Sequence, residues 1–250
     1  MSDTVPMPAG GYAYMPGVFQ YSCGVGALPG FEIRRVTFDT PVPLEAGFAW
    51  IKAFLEAAGR PLEAFCACEL RSPGQFSEDG FRAFNELYCG TLEAWGIYED
   101  GINPVARSNV CPEIGAPATP SFHAFSYTVP SDAGPTFVIA GSGEVPEGKN
   151  NYFDHVVARG DQSPEGMRAK ARHVLGEMER RMASFGKSWA DVTAAQIYTV
   201  FPIHSFLAEE LVTRGTARHG ATWYFARPPI VELDYEMDTR RVLSETVVSV

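Results

Sequence analysis

The sequence has no apolar run that approaches the ~20 residues needed to span a bilayer. Residues 1–6 contain neither a basic segment nor an apolar one, so we expect no secretory signal and a cytoplasmic location. Basic residues are also scarce, with 20 Lys and Arg against 30 Asp and Glu. Because an acidic surface repels phosphate backbones, we expect neither a membrane nor nucleic acid as partner.

Cysteine is rare, and no two cysteines form a CxxC pair. The five cysteines are Cys23, Cys66, Cys68, Cys89 and Cys111. An odd number without paired spacing argues against a disulfide framework and against a zinc site. The motifs GxGxxG, GxxxxGK[ST], HExxH and GxSxG are missing as well, which removes the usual signals for nucleotide binding and for metal or serine hydrolysis.

The 250 residues, 46% of them hydrophobic, repeat one order of elements in two halves. Apolar residues at helical spacing predict helices over 44–58 and 164–185, which end at Gly59 and Gly186. The strands that follow superpose without a gap at an offset of 186 − 59 = 127. The other predicted elements are strands 19–25 and 137–145, helices 77–95 and 203–213, and closing strands 107–111, 121–129, 222–226 and 230–236. This pattern predicts an α+β fold of two tandem units, 1–132 and 133–250, each a sheet with two helices on one face.

Three segments carry a resemblance to a known family. Asn-Pro-Val-Ala-Arg-Ser-Asn-Val at 103–110 resembles the P-x-R-S-x-V signature of the RidA/YjgF family. Phe-Asn-Glu-Leu-Tyr at 84–88 resembles its F-N-x-x-Y, and Val-Glu-Leu-Asp at 231–234 resembles its closing V-E-I-E strand. The resemblance covers nearly the whole chain as two copies. It implies a chorismate-mutase-like fold, trimers with sites in the clefts between units, and hydrolysis of enamine or imine acids to oxo acids and ammonia without metal or organic cofactor.

The resemblance selects three residues for chemistry. Arg107 is expected to hold a substrate carboxylate with two parallel hydrogen bonds, the alternative being a surface ion pair. Asn85, 107 − 85 = 22 residues earlier, would bond to the segment that carries Arg107 or to substrate, or else only to its own helix. Glu232 is expected to orient the attacking water and transfer its proton, the alternative being a solvent-facing strand residue.

Each half of the chain lacks one of the family's site motifs that the other half has. Ser121 stands where the first half should have its glutamate, and the second half has no Asn–Arg pair. We therefore predict one composite site, with Arg107 and Glu232 from one chain or from neighbouring chains. The remaining predicted site residues are Tyr12, Ser108 and Arg218, all as substrate contacts, while the roles of His123 and His219 stay open.

The favoured function is a cofactor-free deaminase, a hydrolase of the 2-aminomuconate or 2-aminoacrylate type. Two alternatives remain: a non-catalytic module that binds a small acid, and a chorismatase-like hydrolase with Arg218 or Arg227 as a second anion-binding group. Open sheets need partners, so we expect a homo-oligomer, with a trimer favoured.

Overall fold

The protein is described here by a computed structural model that covers residues 4–149 and 151–250. Residues 1–3, on which the expected absence of a secretory signal partly depends, lie outside the described residues. The chain forms two mixed sheets, one of seven strands and one of six. Among the described residues, none of the helices has the length and apolar character to cross a membrane.

The strands and helices follow one another along the whole chain. The strands are β1 Val5–Met7, β2 Tyr12–Met15, β3 Gly24–Ala27, β4 Phe31–Pro43, β5 Phe65–Arg71, β6 Ala106–Pro112, β7 Ser121–Pro130, β8 Phe137–Gly143, β9 Ala194–Tyr198, β10 Ala221–Tyr224, β11 Ala226–Arg227, β12 Glu236–Arg241 and β13 Glu245–Val248. The helices are α1 Leu44–Ala57, α2 Glu78–Ala94 and α3 Pro164–Ser184, and a short π-helix spans Leu207–Val212.

Local sequence signals account for the three long helices. The Ser77 hydroxyl caps α2 by accepting from the amide of Gly80 at 3.1 Å, and Ser163 caps α3 in the same way. Gly59 and Gly186 follow α1 and α3 with φ of +64° and +65°, the left-handed conformation that glycine adopts without strain. The predictions of these three helices, and of the glycines that end two of them, are confirmed.

The two sheets share one strand order. Four strands of the six-stranded sheet run β6-β5-β7-β4, and four of the seven-stranded sheet run β10-β9-β12-β8. In both, the first pair is parallel and the other two pairs are antiparallel. Cys68 pairs with Arg107, and Ala195, at 68 + 127, pairs with Ala221. The predicted repeat in the order of elements is therefore present in the strand pairing.

Strands from the two ends of the chain cross between the sheets. β3 pairs with β8, so the first three strands extend the sheet built by the second half. β13 returns in parallel to β4 in the sheet built by the first half. A small apolar core, including Tyr12, Val25, Cys66 and Ala140, lies between the sheets. Each half is thus tied to the other by backbone pairing as well as by packing.

Several predicted elements are wrong. Of 19–25, only 24–25 lie in a strand, and β4 was not predicted at all. The predicted helix 203–213 is reduced to the short π-helix, and strand 222–226 is split between β10 and β11. The predicted strand 230–236 begins only at Glu236, because the amides of Asp234 and Tyr235 donate to the Glu144 carboxylate and so are not free for a neighbouring strand.

Candidate active site

Arg107 lies on β6 with 3% of its surface exposed. Its Nη2 donates to Oδ1 of Asn85 on α2 at 2.6 Å, which confirms the predicted proximity of the two residues. Four aromatic rings surround the guanidinium at 4.7–5.8 Å from its carbon, a favourable setting for a cation. These rings belong to Tyr21, Phe81, Phe84 and Tyr88.

The hydrogen bonds of this pair are incomplete. Within residues 4–149 and 151–250, Nη1 of Arg107 and Nδ2 of Asn85 are buried without a hydrogen-bond partner, and no carboxylate forms an ion pair with Arg107. A buried cation without a counter-charge is costly, since water has been removed and the amide of Asn85 and the aromatic rings replace it only in part. The arrangement is therefore suited to receive a small anion.

A narrow cleft with a volume of about 50 Å³ opens beside Arg107. One wall is formed by the first half through Arg107 and Asn109, and the opposite wall by Gly141, Ser142 and Glu236 of the second. Apolar and aromatic side chains close its sides: Tyr21, Phe81, Val145, Tyr152, Ile230 and Leu233. The cleft thus combines a cationic anchor, an acid and an apolar flank, which is typical of small-molecule sites.

Two acids line this cleft, Glu147, which accepts from Tyr21 and Arg181, and Glu236, which is the candidate proton carrier. It begins β12, is 4% exposed, and its carboxyl group makes no hydrogen bond to any described side chain or backbone group. Burial raises the pKa of Glu236 well above its usual range, and the nearby charges of Asp238 and Glu144 raise it further, against the opposing effects of Arg181 and Arg71. A protonated, unbonded carboxyl facing a cleft can both give and take a proton.

Gly141 on β8 makes room for this carboxyl. A Cβ at residue 141 would lie far inside contact distance of Oε1 of Glu236, 3.2 Å from its Cδ and 3.2 Å from Cα of Ser108. Only a residue without a side chain leaves the carboxyl where it is.

The repeat explains why acid and anchor come from different halves. Ser121 pairs with Arg71 in the first half, and Glu236 pairs with Tyr198, at 71 + 127, in the second. Glu236 is therefore the counterpart of Ser121. The counterpart of Arg107 is Ala221. The residues of the cleft fit the predicted composite pair, with Glu236 in place of Glu232, and both come from one chain.

The structure places Glu232 outside the cleft. Its side chain is 42% exposed, its φ is +71°, and it forms an ion pair with Arg159. The predicted strand position of Glu232 is wrong, because β12 starts four residues later.

The other predicted site residues are scattered. Tyr12 is fully buried in the core between the sheets, and the Ser108 hydroxyl donates to Oδ2 of Asp238 at 2.5 Å. Arg218 is exposed and donates to the carbonyl of Ala190 at 3.0 Å. None of these three side chains lines the cleft with Arg107 and Glu236, although Ser108 lies against a narrow cavity behind Arg107.

The two open histidines also lie away from the cleft. Burial, reinforced by the charge of Arg71, lowers the pKa of His123 to about 4, so its imidazole is neutral at neutral pH. It therefore does not replace an acid in the first half. His219 is exposed in a turn before β10.

Residues that sequence reasoning missed complete the cleft. The Tyr21 hydroxyl donates to Oε1 of Glu147 at 3.0 Å, and the buried Arg181 donates to the same oxygen at 2.8 Å. Arg181 also donates to the carbonyls of Ala140 and Gly141, which fixes β8 beside Glu236. No local motif marks these residues, because their partners lie up to 126 positions away.

The structure suggests no metal centre in the part of the chain that it describes. Across 4–149 and 151–250, no group of three or more His, Cys, Asp and Glu side chains is arranged to hold a metal ion. All five cysteines are buried and free.

The fold resembles that of a chorismatase. A crystal structure of chorismatase superposes with a TM-score of 0.52 over 95% of this chain and 78% of that chain, at 11% identity. A RidA protein from an Antarctic Psychrobacter bacterium matches 43% of this chain and 80% of its own, at 16% identity and a TM-score of 0.31. The chorismatase match defines the class of fold, an α+β chain of two mixed sheets.

Sequence similarity goes further than the fold. The model of the family described as 2-aminomuconate deaminase CnbZ matches residues 4–246. A curated relative, 2-amino-5-chloromuconate deaminase of Comamonas testosteroni, is 50% identical over 250 residues, 99% of this chain and all of that one. The chain belongs to this deaminase family.

Proposed function

We propose that the protein is a deaminase that hydrolyses the C–N bond of an enamine or imine acid of the 2-aminomuconate type. The observation that carries this proposal is that one cleft is lined both by Arg107, whose Nη1 is buried without a hydrogen-bond partner, and by the buried carboxyl group of Glu236. Membership of the deaminase family, and the substrate in the name of the 50% identical relative, support the choice of acid.

Arg107 binds a substrate carboxylate in this proposal. Nη1 of Arg107 and Nδ2 of Asn85 are buried donors without a hydrogen-bond partner in the protein, so both are available to the substrate. The rings around the guanidinium fix its plane. A planar donor pair orients a carboxylate better than a point charge does. The conjugated carbon chain would lie along the apolar flank that includes Val145 and Leu233.

Glu236 moves the protons. Its raised pKa favours the protonated form, and that form first donates to the enamine carbon and produces the imine. As a carboxylate it then accepts a proton from the water that attacks the imine carbon. It returns that proton to the amine. As the C–N bond breaks and ammonia leaves, Glu236 takes the remaining proton of the hydroxyl group, which becomes the carbonyl of the oxo acid. Each proton that Glu236 gives is regained, so the cycle needs no metal or organic cofactor.

Two tandem RidA-like units, with a boundary near 132, form part of this proposal. The shared strand order of the two sheets supports these units. Equivalent positions support them as well: the acid Glu236 of the second half corresponds to Ser121 of the first, and the anchor Arg107 of the first half corresponds to Ala221 of the second. The trimer and the cytoplasmic location stay predictions; light scattering of the purified protein tests the first.

The deciding experiment measures ammonia release from 2-aminomuconate, with 2-aminoacrylate in parallel, for wild type, Arg107→Ala and Glu236→Gln. We expect release by wild type, a large rise of KM in Arg107→Ala and a loss of kcat in Glu236→Gln. Glu232→Gln, on the nearby exposed segment, is the matched control and should keep activity. Binding of these acids without ammonia release would favour a binding module, and pyruvate release from chorismate a chorismatase-like enzyme.

A further inference from the structure

A buried cluster of charges lies directly behind Glu236. Its members are Glu144, which follows β8, Lys170 of α3, and Asp234, two residues before Glu236. Lys170 and Glu144 are fully buried and Asp234 almost so. The Lys170 ammonium forms an ion pair with Oδ2 of Asp234 and lies 3.6 Å from Oε1 of Glu144.

Glu144 of the cluster, together with Thr199 and Gln75, holds the backbone that leads into β12. The Glu144 carboxylate accepts from the amides of Asp234 at 2.6 Å and Tyr235 at 3.1 Å. The Thr199 hydroxyl donates to the carbonyl of Asp234 at 2.7 Å, and the Gln75 side-chain amide donates to that of Leu233 at 3.2 Å. The course of residues 233–235 is therefore set by these groups and not by a neighbouring strand.

This arrangement costs more than folding alone requires. Removing ionisable groups from water carries a penalty, and well-packed apolar residues of similar volume are often as stable or more so. Here only Tyr235 separates Asp234 of the cluster from the candidate acid, and Leu233 and Glu236, at the start and just after the end of the held segment, both line the cleft. Its location indicates a role in placing the acid.

We propose that the cluster of Glu144, Lys170 and Asp234 is a positioning device that holds the backbone before Glu236 and thereby sets its carboxyl against Gly141. The inference rests on the proposed deaminase function, in which Glu236 transfers the protons.

The cluster also acts on Glu236 through charge. Ionised Glu144 raises the pKa of Glu236 together with Asp238, while Arg181 and Arg71 lower it, and the thiol of Cys111 faces it from β6. Burial raises the pKa of Glu144 itself to about 7, against the opposing charge of Lys170. Removal of the Glu144 charge should therefore lower the pKa of Glu236.

Glu144→Gln is the principal variant, measured in the full-length protein with 2-aminomuconate. Glutamine keeps the size but offers one acceptor oxygen to two backbone amides and turns an N–H₂ group toward the other. We expect kcat to fall about 10- to 100-fold, as a misplacement approaching 1 Å can produce. KM should change little because Arg107 is untouched. The decline of kcat/KM at high pH should begin at lower pH, because Glu236 then loses its proton earlier.

Two further variants separate positioning from general destabilisation. Asp234→Asn removes one charge of the cluster and should act in the same direction, which keeps the test valid if Glu144→Gln does not fold. Leu55→Ala, on the buried face of α1, lowers stability without touching the cluster. It should leave kcat per folded molecule and the pH profile unchanged.

The outcomes are distinct. If the cluster variants lose activity only in proportion to their folded fraction, with an unmoved pH profile as in Leu55→Ala, the cluster is structural and the inference fails while the proposed function stands. If wild type releases no ammonia, the proposed function fails first and the inference with it. A loss of kcat per folded molecule, together with a decline of kcat/KM that begins at lower pH, supports both the inference and the proposed function.

Discussion

Gly141→Ala is the sharpest test of where the acid lies. The new Cβ would overlap Oε1 of Glu236 and lie 3.2 Å from both its Cδ and Cα of Ser108. The backbone at Ser108 cannot move easily within β6, so the flexible carboxyl must retreat by roughly 1 Å to reach van der Waals distance. A displacement of that size at a reacting group can cost about 10²-fold in rate. We therefore expect kcat for ammonia release to fall about 100-fold while KM changes little.

Gly143→Ala provides the comparison in the same strand. There the Cβ would meet only Cδ1 of Leu233 at 3.2 Å and the carbonyl of Tyr235 at 3.7 Å, so a small shift of one apolar side chain suffices. We expect a loss of no more than a few-fold. Circular dichroism and urea unfolding would verify that both variants fold. Wild-type kcat in Gly141→Ala, or a defect confined to KM, would refute the assignment of the acid to Glu236.

Three further predictions concern the same cleft. Arg107→Lys keeps the charge but loses the planar donors, so calorimetry should show at least about tenfold weaker binding of a dicarboxylate; equal affinity would mean that Arg107 acts only as a point charge. Glu232→Gln removes an exposed ion pair with Arg159 and should leave kcat near wild type, whereas a 100-fold loss would restore the original choice of acid. The pKa of Glu236 is raised and its acid form starts the reaction, so kcat/KM should be level at mildly acidic pH and fall as pH rises through that pKa; a profile that rises there instead would exclude Glu236 as the initial proton donor.

Helices and the anchor were predictable because their signals are local. Ser77 and Ser163 precede helices whose apolar spacing is regular, and Gly59 and Gly186 follow the other ends. Asn85 on α2 and Arg107 on β6 lie on elements that follow one another along the chain, so a short stretch of sequence contains both. The hydrogen bond between them was therefore within reach of a motif argument.

The position of the acid was not predictable from the same kind of signal. The pattern of Glu followed two residues later by Asp occurs twice, at 231–234 and again at 235–238. Glu144, about 90 residues earlier, accepts hydrogen bonds from the amides of Asp234 and Tyr235. These bonds determine which of the two copies enters the strand. Strand register depends on such distant partners, and a shift of four residues replaces a buried acid with an exposed one.

Glu144 should leave a signature in the pH dependence of folding. Burial raises its pKa from 4.5 to about 7, so the folded state binds a proton that the unfolded state has released. The resulting stabilisation is complete below pH 4.5 and is lost as pH rises through 7. From pH 5.5 to 8 this amounts to about 2 kcal/mol. Glu144→Gln lacks this titration. Between pH 5.5 and 8, the unfolding free energy of the wild type, measured with urea, should therefore fall by about 2 kcal/mol more than that of the variant. Glu236 titrates in both proteins, at lower pH in Glu144→Gln, so its contribution is subtracted with the pKa values that the two pH–rate profiles give. Equal pH dependence of the two proteins would show that Glu144 is already ionised at pH 5.5, and that the backbone amides it accepts from, together with the ammonium of Lys170, outweigh its burial.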